Sequence, residues 1–143
     1  MPEDRRGLPR LVPTLRPRRL TISILPGRLG VCRLAPGEPV PPWATSGPFV
    51  SVTRTEDELS VVCAEGAVPE GMKCETGWRC LRIRGPLAFS ETGVISSLAA
   101  PLTKAGISIF VVSTYDTDYI LLKEECLEAA QAVLASEGYT IEH

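Results

Sequence analysis

Glycine-marked breaks cut the second half of this chain into short apolar blocks of two alternating periods, and this punctuation restricts the fold more than any other feature. Trp78 to Arg84 alternates, with Leu81 and Ile83 on one face and Arg82 and Arg84 on the other, so it predicts a strand that ends at Gly85-Pro86. Val94, Ile95, Leu98, Leu102 and Ala105 recur at helical spacing, behind a start at Ser90-Glu91-Thr92 and before a stop at Gly106. Pro101 falls inside that helix and predicts a kink or a loosened turn. The run Ile107 to Val112 is continuously apolar and predicts a central strand. Ser113 to Thr117 has turn chemistry, and Tyr119 to Lys123 is a second short strand. Glu124-Glu125 opens a last helix that turns Leu127, Ala130 and Leu134 inward, Gly138 ends it, and Tyr139 to Ile141 closes the series. The order is β-α-β-β-α-β, an α+β unit of ferredoxin-like type.

The first half echoes this pattern less regularly. Val52 to Val62 parallels Val112 to Leu122 at an offset of 112 − 52 = 60, each a hydroxyl-rich turn running through acidic residues into an apolar strand, with Glu58 standing where Asp118 does. Leu20 to Ile24 likewise parallels Leu81 to Ile83, each followed shortly by a proline, Pro26 or Pro86. No helical periodicity lies between Gly27 and Phe49. Leu29 to Leu34 reads there as an extra strand, followed by a proline-rich loop with a short turn near Trp43 to Ser46. The expected organisation is a tail over 1–19, a degenerate unit over 20–73 joined near Glu70-Gly71-Met72-Lys73, and a full unit over 77–143. A unit of about 55 residues buries a thin core alone, so the halves should share a sheet or an interface.

Charge and residue counts close off several chemistries. Residues 1–19 hold six arginines against Glu3 and Asp4, a local +4; the total of −2 leaves −2 − 4 = −6 on the rest. The arginines alternate with Pro2, Pro9, Pro13 and Pro17, the composition of a disordered tail. An acidic body disfavours nucleic acid, and no aromatic RNA-binding strand motif is present. No apolar run approaches the roughly 20 residues that cross a bilayer, and no secretory signal stands at the start, so a cytoplasmic location is expected. The five cysteines lack disulfide-framework or metal-ligand spacing and read as free thiols. The single histidine is the last residue, His143. With no phosphate-binding loop or nucleophile elbow either, no catalytic residue, metal or cofactor is expected.

Phe89-Ser90-Glu91-Thr92-Gly93-Val94 and Ser113-Thr114-Tyr115-Asp116-Thr117-Asp118-Tyr119 carry a resemblance. With these segments the chain resembles small bacterial tandem ACT-domain proteins, related to the regulatory regions of aspartate kinases, and the eukaryotic cytosolic arginine sensors. The similarity covers about 20–142 and is strongest from Gly77. It implies paired ferredoxin-like units, commonly dimerised, that bind an amino acid where two units meet. By resemblance to the sensors, Glu91, Gly93, Val94, Thr114 and Asp118 match positions that line the ligand, and Thr92, Ser113 and Tyr115 complete the candidate set. The geometry has a rationale: a helix N-terminus suits a carboxylate, Gly93 admits close backbone approach, and Glu91 or Asp118 would receive an ammonium or guanidinium group. The sensors carry more units per chain, so the pocket here would form between two protomers or between the halves.

The expectation is therefore a non-catalytic, ligand-responsive regulatory module binding a free amino acid, as a homodimer. The alternative is a dimerisation module of the same fold without ligand sensing. Each candidate also has a plain structural use: Glu91 beside its helix dipole, Asp118 and Asp116 in shaping a turn, Gly93 in helix packing.

Overall fold

The computed structural model describes residues 20–84 and 93–143. The expected tail over 1–19 and the helix start at Ser90 to Thr92 lie outside the described residues. Among the described residues eight strands and two helices follow in the order β1 (Thr21–Ile24), β2 (Leu29–Leu34), β3 (Ser51–Arg54), β4 (Leu59–Ala64), β5 (Cys74–Ile83), α1 (Val94–Lys104), β6 (Phe110–Ser113), β7 (Asp118–Lys123), α2 (Leu127–Ser136) and β8 (Thr140–Glu142). Short 3-10 turns at Pro42–Thr45 and Glu65–Ala67 stand where a complete first unit would carry its helices.

β5 organises the molecule because it is long enough to serve both halves. Its first residues pair with β2, and with β4 and β3 beyond they give the order β5-β2-β4-β3. Its last residues pair with β7 on one edge and β1 on the other, giving β8-β1-β5-β7-β6. β1 and β2 thus lie end to end, both antiparallel to β5, and the amide of Leu25 donates to the carbonyl of Cys80 at 2.9 Å across the break. The first half does carry an extra strand. It is β1, wedged between β5 and β8 of the second half's sheet, whereas β2 opens the first unit.

Three apolar layers follow from the strand period. On one face, Ile22, Leu81, Ile83, Ile120 and Leu122 pack against Leu98 and Leu102 of α1 and Ala130 and Leu134 of α2. On the opposite face, Cys80 and Leu121 meet Leu29, Phe49 and Val62 of the first half, and the Phe49 and Tyr119 rings lie 4.7 Å apart. The first half's outer face buries Cys32, Leu34, Leu59, Val61 and Cys63 beneath Ala44 of the 3-10 turn.

Both helices end in the same backbone device. Gly106 (φ 78°) and Gly138 (φ 94°) adopt the left-handed conformation, and the residues after them, Ile107 and Tyr139, donate back to Leu102 and Leu134 at 3.0 and 3.1 Å. α1 runs through Pro101 as one helix. One expectation is corrected. The apolar run Ile107 to Val112 is not central: only Phe110–Ser113 is strand, and it pairs with β7 alone. Its continuity reflects two covered faces, because Ile107 and Ile109 pack toward the helices while Phe110 and Val112 pack toward the first half.

Candidate ligand-binding site

At the end of β5 the chain leaves the sheet for α1, and the β6–β7 turn stands beside that exit. Arg82 pairs with Tyr119, and Ser113 pairs with Asp118 to close the hairpin. Within the turn the amide of Thr114 donates to the Thr117 carbonyl at 2.8 Å, and the Thr114 hydroxyl donates to the same oxygen at 3.0 Å. The Thr117 hydroxyl then donates to the Ile83 carbonyl at 2.6 Å. Thr117 is 4% exposed, so a buried hydroxyl latches the turn to the last strand residue of β5. Sequence reasoning passed over Thr117, and only a hydroxyl in an apolar strand's flank hinted at it.

Gly93 opens α1 at φ 79°, a conformation natural to glycine, and a Cβ built there meets nothing within 4 Å. Among the described residues no side chain caps the helix, and the Ser97 amide bonds to the Gly93 carbonyl at 2.9 Å. The amides of the first turn therefore face outward, with the positive end of the helix dipole. Val94 instead lies against the helix-side core. Glu91 and Thr92 lie outside the described residues. Ser113, Thr114 and Tyr115 are exposed, Tyr115 at 80%, and Asp118 is half-buried at the start of β7. The structure thus brings Ser113, Thr114, Tyr115 and Asp118 together in one hairpin turn.

Charges border this end. Arg84, next in the chain after β5, pairs with Glu142 of β8 at 2.6 Å. The Tyr139 hydroxyl donates to Ser97 Oγ at 2.8 Å and ties the end of α2 to the first turns of α1. At the opposite end of β5, Arg28 meets Glu65 and Glu124, each at 3.1 Å. The hydrogen bond that Arg28 donates to Glu124, with both carboxylates nearby, pushes its guanidinium further up.

A groove of about 400 Å³ runs between the halves, lined by Ser51, Thr53 and Ser60 on one side and Phe110 to Ser113 on the other. Of the described candidate residues only Ser113 lines it, and its described lining carries hydroxyls and apolar groups without an ionisable side chain. Among the described residues no cluster of histidine, cysteine and carboxylate side chains is arranged to hold a metal, and no helix is long and apolar enough to cross a membrane.

Residues 73–136 match the ACT domain family, and a separate N-terminal-domain family matches 27–71. The crystal structure of protein Atu0741 from Agrobacterium tumefaciens is 44% identical, with a TM-score of 0.82, and the match covers 88% of this chain and 96% of that one. The cytosolic arginine sensor for mTORC1 subunit 1 from Rattus norvegicus is 30% identical over 92 residues, 59% of this chain. The match spans 28% of that sensor's length. The regulatory subunit of aspartate kinase from Thermus thermophilus shares the fold at 11% identity, with a TM-score of 0.57 over 79% of this chain and 93% of that one.

Proposed function

From the match of residues 73–136 to the ACT domain family, we propose that the chain is a non-catalytic regulatory module that binds a free amino acid at the β5–α1 end of its second unit. The observation that carries this is the Thr117 latch, which holds the β6–β7 turn against the end of β5. A turn held against the end of a strand keeps donors and acceptors in place before a ligand arrives, which lowers the ordering cost of binding.

In this reading the outward amides of α1's first turn receive the ligand carboxylate, with Gly93 leaving room for it. Asp118 and Glu91 receive the ammonium or a cationic side chain, and Ser113 and Thr114 present hydroxyls at the strand end. A second copy of the chain completes the pocket, and the module works in the cytoplasm. The groove between the halves suits a zwitterion less well, because its described lining offers no charged partner.

Thermal-shift measurements across the twenty amino acids test the proposal. A ligand at a hundred times its Kd stabilises by about 2.7 kcal/mol, and Asp118→Ala is expected to remove most of that shift. No shift with any amino acid at millimolar concentration, together with a neutral Asp118→Ala, would sink it.

One observation favours a second reading, a homodimerisation module without a ligand. Among the described residues β3, β6 and β8 each pair on one edge only, and Val52 and Val111 are exposed on the first two. Unpaired edges are ready to add a strand. That reading predicts a stable dimer in sedimentation experiments whose melting no amino acid changes.

A further inference from the structure

Three of the five cysteines gather on the outer face of the first half, although they stand far apart in the chain. Cys32 in β2 pairs in register with Cys74 at the start of β5, and Cys63 in β4 pairs with Gly30 of β2. The Cys32 thiol donates to Cys74 Sγ at 2.7 Å. The ladder bond that flanks this pair runs from the Arg33 amide to the Lys73 carbonyl at 2.9 Å. That places Cys32 and Cys74 in a non-hydrogen-bonded antiparallel pair, where opposed Cα atoms lie about 4.5 Å apart. A disulfide accepts Cα separations of about 4.4–6.8 Å, so the backbone already meets its requirement.

A second feature keeps the sulfur there. A Cβ placed on Gly30 would come within 2.8 Å of Cys74 Sγ, so the missing side chain at Gly30 makes the space in which that sulfur lies. β2 also shifts register against β5 between Leu29 and Val31, around Gly30. Cys32 is fully buried, and burial, followed by the Cys74 contact, pushes its thiol far up. Cys74 is half-buried and is the sulfur a solvent-borne oxidant meets first.

We infer that Cys32 and Cys74 form a reversible, oxidant-responsive cross-strand disulfide that clamps β2 to β5, the strand the two halves share. The oxidant is a hydroperoxide. Its outer oxygen is transferred to Cys74 sulfur, giving a sulfenic acid and releasing an alcohol, or water when the oxidant is hydrogen peroxide. Cys32 sulfur then displaces that oxygen as water and forms the S–S bond. The two thiols lose two electrons, the O–O bond gains them, and the two thiol protons finish in the alcohol and the water. A dithiol reductant reverses the step by exchange.

The link closes a loop between positions 42 apart and removes conformational freedom from the unfolded chain. The test treats the full chain with hydrogen peroxide, caps the remaining thiols with N-ethylmaleimide, and maps tryptic peptides without reduction. Trypsin places the five cysteines on five separate peptides, so a fragment of residues 29–33 joined to residues 74–79 identifies the bond. The expected result is that fragment in the monomer, two thiols fewer available for capping, and a Tm raised by about 5–10 °C that dithiothreitol reverses. Cys74→Ser is expected to abolish the fragment and the shift, and Cys126→Ser to keep both. Gly30→Ala pushes the Cys74 sulfur aside and is expected to slow bond formation several-fold even if it folds less well. The inference is overturned by a link from Cys74 to Cys63, by intermolecular links alone, or by oxidation of Cys74 to a sulfinic acid with Cys32 still capped.

Discussion

In the β3–β4 hairpin the Thr55 amide donates to the Glu58 carbonyl at 2.9 Å, and in the β6–β7 hairpin the Thr114 amide donates to the Thr117 carbonyl at 2.8 Å. The two turns are the same device, with the threonine hydroxyl also facing the turn in each. Their structural offset is 114 − 55 = 59, one residue less than the sequence comparison suggests, so Glu58 corresponds to Thr117 rather than to Asp118. That one-residue difference separates their uses. At the shared position the second half places a buried threonine hydroxyl on the Ile83 carbonyl, while the first half places a half-buried glutamate at its turn. A repeated turn is latched to the end of β5 by a buried hydroxyl in one copy and carries a half-buried glutamate in the other.

The largest test of this contrast attacks the layer both hairpins share. Leu121 is fully buried between the halves, and Leu121→Ala is expected to cost about 3 kcal/mol and lower Tm by about 10 °C. Fluorescence from Trp43 and Trp78, which belong to different layers, should still report one transition. Two separated transitions would show that the halves unfold independently.

Alkaline titration probes the same layer. Burial pushes the Cys80 thiol up to about 12 from an ordinary value of 9.0. The folded state therefore holds a proton that the unfolded state has released. This contribution is complete below pH 9 and is lost as pH rises from 9 toward 12, at up to about 1.4 kcal/mol per pH unit. Urea unfolding at pH 9 and pH 11 should show this loss, about 2–3 kcal/mol. Cys80→Ala should make the slope shallower, with Cys32 and Cys63, both also raised by burial, supplying the remainder.

The latch itself is the next test. Thr117→Val keeps the shape and removes the donor to Ile83, leaving a buried carbonyl unpaired at a cost of about 1–3 kcal/mol. If the turn is a wall of the ligand site, the same change also weakens any amino-acid-dependent thermal shift. The counterpart, Glu58→Gln, keeps the size and polarity of a half-buried side chain and should stay within about 0.5 kcal/mol of the parent. Equal effects at the two positions would dissolve the comparison. Between these lies Gly93→Ala: its Cβ meets open space, so only the left-handed backbone resists it, at about 1 kcal/mol.

Much of the fold was legible because it rests on local chemistry. The glycines at 106 and 138 stop helices by backbone conformation, and the alternation through Leu81 and Ile83 follows the strand period, so both could be read without partners. The candidate site was legible only in its pieces. Ser113 to Asp118 forms a turn by its own composition, but Thr117 matters through a carbonyl 34 residues away, which no local pattern marks. The helix start at Gly93 is evident as a glycine in a left-handed cap, and that role needs only φ.

What the sequence determined by itself was the list of elements and the kinship of the two hairpins, because periodicity and turn chemistry act over a few residues. Tertiary structure alone decided where the elements went. β1 took the seat between β5 and β8, and β6 became an edge whose Phe110 and Val112 pack toward the first half. Cys32 met Cys74 across the sheet. Each is a long-range pairing selected by the sum of buried faces. An apolar strand carries the same pattern whichever neighbour it joins, so the choice is invisible until all the strands compete for the same sheet.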